Sequence, residues 1–251
     1  MRFLPLIILF FASCATKKDV LILQDTDNSS EFILEFEDIT IQPDDILRVK
    51  VFTKSPELST LFSFSNSENL SNSNLQGYQI NGYLVNSNGY VKIPLIKPIK
   101  VKDLTLVQAS NLIQDLLSKE QDIINASVDV KIVNSSFTVL GEVNKPGRYN
   151  FLKNNIDLLQ AIGIAGDLTI NGRRDKIKIL RNKNGKIKVD NINLTNSKLL
   201  KSQNFQIFPG DIIIVDPNEA KVKNAGIIGN AGNLLSVLSF ILSSLILITN
   251  Q

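Results

Sequence analysis

The sequence predicts an α+β protein: two small mixed domains in tandem, followed by a C-terminal membrane-spanning helix. Three observations predict it. Short β-branched runs recur between Ile41 and Pro217, most of them beside Asn, Gly or Pro. Only two stretches of that region carry helical spacing. After Lys223 no charged side chain appears through Gln251, and a helix over about 25 of those residues rises ~37 Å, enough to cross a ~30 Å hydrocarbon core with tilt.

The chain opens MRFLPLIILFFASC. Arg2 gives a positive start, residues 3–11 an apolar run, and Ala12 and Ser13 the small side chains that precede a signal-peptidase cut. About ten helical residues reach only ~15 Å, so this run is too short to span and reads as a removable export signal over residues 1–13. Cys14 is the only cysteine among 251 residues. A buried core thiol is the plain alternative, but residues 11–14 resemble the bacterial lipobox, in which the cysteine becomes the acylated first residue. Cys14 is therefore the expected lipid attachment. Residues 14–30 are polar apart from residues 20–23 and are expected to form a lipidated tether with one short strand.

Residues 31–133 read as a first domain. Residues 46–52 alternate as a strand, and a Ser/Asn-rich stretch after Phe52 reads as a surface loop. Residues 83–85 and 90–93 flank Asn86-Ser87-Asn88-Gly89, which predicts a hairpin. Thr105 and Gln108 have capping-box spacing, and Ala109, Leu112, Ile113, Leu116 and Leu117 follow at helical intervals. Val128, Val130 and Ile132 alternate in a closing strand.

Residues 134–217 read as a second domain. After Gly141, Pro146 and Gly147 have the chemistry of a type II turn, with Gly147 expected at positive φ. A helix is expected over residues 156–165, stopped by Gly163 and Gly166. Residues 176–181 and 186–190 form a hairpin around Asn182-Lys183-Asn184-Gly185, its lysines read as blunting an edge. A buried strand follows Pro209-Gly210-Asp211. IQPDDILRVKV and IFPGDIIIVDP echo one another, so each domain is expected to deliver a strand out of a proline turn.

GYLVNSNGYVKIPLIKPIKVKDLTLVQA, FTVLGEVNKPGRYNF and IFPGDIIIV, in this order behind the lipobox, resemble the outer-membrane polysaccharide export lipoproteins. The resemblance implies a polysaccharide export domain followed by one β-grasp domain of the soluble-ligand-binding type, SLBB. Gly141, Pro146 and Gly147 fall on its G-x-V-x-x-P-G pattern, and Pro209, Gly210 and Asp211 on its closing P-G-D. Pro43 and Asp45 flank Asp44, which stands where that family usually has glycine. These residues are turn devices.

The resemblance also implies function. The chain is expected in the outer membrane, lipid-anchored, its body in the periplasm. Residues 218–251 are expected to supply one helix each to a homo-oligomeric ring through which polysaccharide passes, fed by an inner-membrane polysaccharide co-polymerase. Small and hydroxyl side chains gather on one half of the helix, so Asn233, Ser236, Ser239 and Ser243 are the expected pore lining; a plain anchor or dimerising helix is the alternative. A second reading is a lipid-anchored periplasmic adaptor that binds sugar or protein without forming a pore.

Catalytic chemistry finds little support. There is no histidine, which removes the commonest general base and metal ligand. Acidic pairs such as Asp44-Asp45 sit in turns, Gly226-x-x-Gly229-x-x-Gly232 lacks the context of a nucleotide loop, and a net charge of +3 does not announce nucleic acid. No enzyme activity and no cofactor are expected.

Overall fold

The structure, a computed structural model, describes residues 20–26, 31–54, 82–121, 123, 125–183, 185–224 and 231–249. The export signal, Cys14, most of the Ser/Asn-rich loop and the glycines at 226 and 229 lie outside the described residues.

The first core is built from β1 (Ile46–Phe52), β2 (Tyr83–Leu84), β3 (Tyr90–Val91), β4 (Ile99–Lys100), α1 (Leu106–Gln121) and β5 (Ser127–Ile132). β1 is the middle strand of an antiparallel β2-β1-β5 sheet. Its register sets Leu47, Val49 and Val51 opposite Ile132, Val130 and Val128, so alternate residues of both strands form one apolar face. α1 lays Ala109, Ile113 and Leu117 on the same core, four residues apart. Its start is fixed reciprocally. The Gln108 backbone N–H donates to Thr105 Oγ1 at 3.2 Å, and Gln108 Oε1 accepts the Thr105 N–H at 2.9 Å.

The expected hairpin around residues 86–89 is corrected. Its turn forms: Asn86 Oδ1 accepts the N–H groups of Asn88 and Tyr90, and Gly89 has φ +80°. The flanks then part, β2 pairing with β1 and β3 with β4. Gly89 O accepts the N–H groups of Val101 and Lys102 at 2.9 and 3.1 Å, which draws a distant segment across the turn.

The second core follows β6 (Ser136–Gly141), β7 (Gly147–Asn150), β8 (Ile156–Asp157), α2 (Leu158–Ile164), β9 (Gly172–Lys183), β10 (Lys186–Ile192), 3₁₀ turns at Ser197–Lys201 and Gln203–Phe205, β11 (Gln206–Ile207) and β12 (Ile212–Pro217). Five strands form one sheet in the order β10-β9-β12-β6-β7. The last strand is inserted centrally, parallel to β6 and antiparallel to β9. One sheet face buries Phe137, Val139, Ile177, Ile179, Ile213 and Val215 against Leu158, Ala161 and Ile162 of α2.

α2 starts two residues later than expected. Ile156 and Asp157 pair with β11, and the buried Asp157 carboxylate caps the helix by accepting the Gln160 N–H at 2.8 Å. Gly163 lies within the helix, and Gly166 at φ +78° turns the chain away.

The C-terminal part contains α3 (Glu219–Asn224) and α4 (Ala231–Thr249). Among the described residues no helix is long and apolar enough to cross a membrane, so the expected spanning helix is not supported by the fold. α4 has 19 residues, about 28 Å of rise, and carries Gly232, Asn233, Ser236, Ser239, Ser243 and Ser244 among apolar side chains.

Candidate functional site

Both proline turns use one device. In each, the fourth residue's N–H closes on the first carbonyl, Asp45 on Gln42 at 3.2 Å and Asp211 on Phe208 at 3.1 Å. Pro43 and Pro209 occupy the second position. The third has positive φ, +70° at Asp44 and +86° at Gly210, the geometry of a type II turn. The fourth residue's carboxylate reaches back to the first N–H, Asp45 Oδ2 to Gln42 at 2.8 Å and Asp211 Oδ2 to Phe208 at 2.9 Å.

The two carboxylates differ in company. Asp211 is buried and receives Arg181 through Nε at 2.9 Å and Nη2 at 2.7 Å, a two-pronged fit of guanidinium to carboxylate. Arg181 also donates to the Gln206 carbonyl at 2.8 Å and lies 4.3 Å from the Phe208 ring centroid. Asp45 has no cation among the described residues. Burial pushes its carboxyl up to about 6, against the lowering effect of the Gln42 N–H and with a smaller push from the neighbouring Asp44 charge.

The Pro146–Gly147 turn is corrected. Gly147 is extended, the first residue of β7, and is absent from the glycines at positive φ. The residues before it do not close on themselves. The Asn144 N–H donates to Asp167 O at 3.0 Å and the Lys145 N–H to Ala165 O at 2.9 Å, so this loop grips the end of α2. Gly141, by contrast, is required: at φ +89°, a Cβ would meet Val215 O at 2.1 Å.

The N-terminal segment rests on the second domain. Residues 20–26 form no strand, which corrects that expectation. Leu23 and Gln24 donate to the Leu194 and Thr195 carbonyls, each at 2.8 Å, and Leu23 packs on the core. Asp25 accepts the Ser197 N–H at 2.6 Å, which holds its carboxyl below the usual range. Further on, Gln206 clamps Glu37 in both directions, with Oε1 accepting its N–H at 2.7 Å and Nε2 donating to its carbonyl at 2.8 Å. Beside this clamp an open groove of about 410 Å³ is lined by Leu34, Phe36, Leu200, Lys201 and Gln203 among others.

α3 is tied to the same domain. Lys221 Nζ meets Glu142 Oε1 at 2.6 Å, Thr169 Oγ1 donates to Glu142 Oε2 at 2.9 Å, and Asn218 N–H donates to Asn171 O at 2.7 Å. Lys221 draws the Glu142 carboxyl below its ordinary value.

The four sequence-predicted lining residues fall within α4. Ser236, Ser239 and Ser243 are exposed. The Ser236 hydroxyl donates to Gly232 O at 2.7 Å and Ser243 to Ser239 O at 2.8 Å, so each proton is spent on the helix backbone and the oxygen lone pairs face outward. Leu235, Phe240 and Leu247 are also exposed.

Among the described residues no cluster of His, Cys, Asp and Glu could hold a metal. Two family models match in succession: polysaccharide biosynthesis/export protein over residues 35–133 and SLBB domain over residues 135–215. Together they cover most of the chain, which belongs to the polysaccharide export protein family with one SLBB domain. These are not enzymatic families, and proteins of the export family are typically associated with the periplasm and outer membrane.

Proposed function

We propose that the protein is the outer-membrane component of a polysaccharide export system and works as a ring of identical copies. Cys14 carries the lipid anchor, the domains at residues 31–133 and 134–217 form a periplasmic body, and residues 218–251 carry the membrane element. Polysaccharide reaches the ring from an inner-membrane polysaccharide co-polymerase. The observation that carries this reading is the tandem of export and SLBB domains, with an exposed, uncharged helix following from an α3 that ion-pairs to the second domain. A helix in the wall of a wet channel needs apolar side chains on its lipid side alone, so hydroxyl side chains on one side of α4 suit a shared wall. Asn233, Ser236, Ser239 and Ser243 line the water side.

The test is replacement of Ser236 and Ser243 by Asp in the full chain. Surface polysaccharide falls at least tenfold while the protein stays in the outer-membrane fraction. Undiminished export with both charges present removes the lining assignment. The groove beside the Glu37 clamp favours the second reading, a lipid-anchored adaptor that binds sugar or protein; a protein that is monomeric in detergent and still required for export decides for it.

A further inference from the structure

Two surfaces of the chain are left unsatisfied, and their chemistry is complementary. The first is the free edge of β10, the outermost strand of the five-stranded sheet. On one side of that strand Ile187 is 68% and Val189 52% exposed, next to the half-buried Leu180 across the ladder. On the other side stand Lys186, Lys188 and Asp190, with Lys188 Nζ 2.9 Å from Asp190 Oδ1. Lys186 lies directly opposite Lys183 in the register, a like-charge pair that opposes the hairpin on its own, and neither forms an ion pair among the described residues. Lysines protect an edge against neutral or basic strands. They do the opposite for an acidic one, and the aliphatic side of this edge has no such protection.

The second surface is the segment EFILEFED at residues 31–38. It is extended, with no ladder partner, and no backbone hydrogen bond of residues 31–36 is made among the described residues. Its fixed point is Glu37, held by Gln206. An extended strand sends alternate side chains to opposite sides. Glu31, Ile33, Glu35 and Glu37 then share one side, and Phe32, Leu34, Phe36 and Asp38 the other. Leu34 is 43% and Phe36 38% exposed, and Glu31 and Glu35 make no ion pair or hydrogen bond among the described residues.

We propose that residues 31–36 of one copy add antiparallel to the β10 edge of a second copy as a sixth strand, with Leu34 beside Val189, Phe36 beside Ile187 and Glu35 beside Lys188. On one side Glu35 meets Lys188, and on the other the apolar Leu34 and Phe36 meet Val189 and Ile187. Backbone groups that are open on both surfaces pair with each other, as in other strand-addition contacts. The two surfaces are different patches of one chain, so the contact is head to tail and repeats around a closed ring. This rests on the oligomeric reading and names the surfaces that build it.

The test uses the full chain in detergent, with particle mass as readout. Lys188→Glu weakens self-association at least tenfold, Val189→Asp does the same, and Lys188→Glu combined with Glu35→Lys restores it. All positions are exposed, so unchanged circular dichroism and melting confirm folding. Independently, Leu34→Cys with Val189→Cys gives an oxidised ladder of covalent multimers that neither single replacement gives. Unchanged particle mass in both single variants, or a disulfide confined to monomers, overturns the strand contact while leaving the ring reading standing. A wild-type chain that is monomeric at every concentration removes both.

Discussion

The turn at residues 42–45 and the turn at residues 208–211 share geometry to the level of individual hydrogen bonds, yet they solve the burial of a carboxylate differently. At the second, Arg181 accompanies Asp211 into the interior and Gly210 supplies the positive φ. At the first, Asp45 goes in without a cation and Asp44 takes the left-handed conformation. A turn motif thus specifies a backbone path, and the surroundings decide what its acid contributes. The closing turn feeds the central strand of five, where a misplaced carboxylate disturbs both neighbours. The opening turn feeds a strand with a single six-residue partner ladder and one short one.

The largest effect comes from breaking the paired case. Arg181→Met leaves Asp211 buried without its charge partner and costs about 3–5 kcal/mol, read from urea unfolding at pH 7. Adding Asp211→Asn recovers most of that loss. Full cost persisting in the double variant means that Arg181 acts by packing on Phe208 and not through the ion pair.

The unpaired case shows itself in pH dependence. The Asp45 carboxyl in the folded chain titrates near 6, above its ordinary 3.8. The folded state therefore holds the proton more tightly. Its contribution to stability is complete below about pH 3.8 and is lost as pH rises through 6. The change is roughly 2 kcal/mol, allowing for a carboxyl that is only partly buried. Asp45→Asn keeps an acceptor for the Gln42 N–H and removes this slope, so wild type and variant diverge between pH 4 and 7. Parallel curves across that range reject the assignment.

The smallest effect lies in the third turn position. Gly210→Ala has open space around it but places a Cβ at φ +86°, which costs about 1 kcal/mol. Asp44→Gly relieves the same conformation and gains a few tenths of a kcal/mol, less than the relief alone because glycine frees the unfolded chain. Thermal melts of the two variants should shift in opposite directions.

These turns also mark how far the sequence was readable. The capping box at Thr105 and Gln108 and the proline turns involve partners three residues apart, so their chemistry is visible in a short string. The Pro146–Gly147 turn was misread because the donors beside it are claimed by residues 165 and 167, which lie about 20 positions away. The hairpin at residues 86–89 failed for the same reason, with residues 99–102 taking its flank. Arg181 was passed over inside an alternating hairpin, although its place two and four residues after Ile179 and Ile177 already put it on the buried side. Nothing local signals the Gln206 clamp on Glu37, which joins positions 169 apart. The helix near the C-terminus shows its pattern plainly, but a pattern of hydroxyl and apolar side chains serves an anchor, a dimer and a channel wall equally well.

The placement of β12 has one further consequence. Because the final strand of the second domain is also its middle one, β6 and β9 have no neighbour on their inner sides until residues 212–217 arrive. A product cut short between residues 192 and 212 is thus not a smaller working protein. It is two strand pairs with raw inner edges, prone to sticking to other chains.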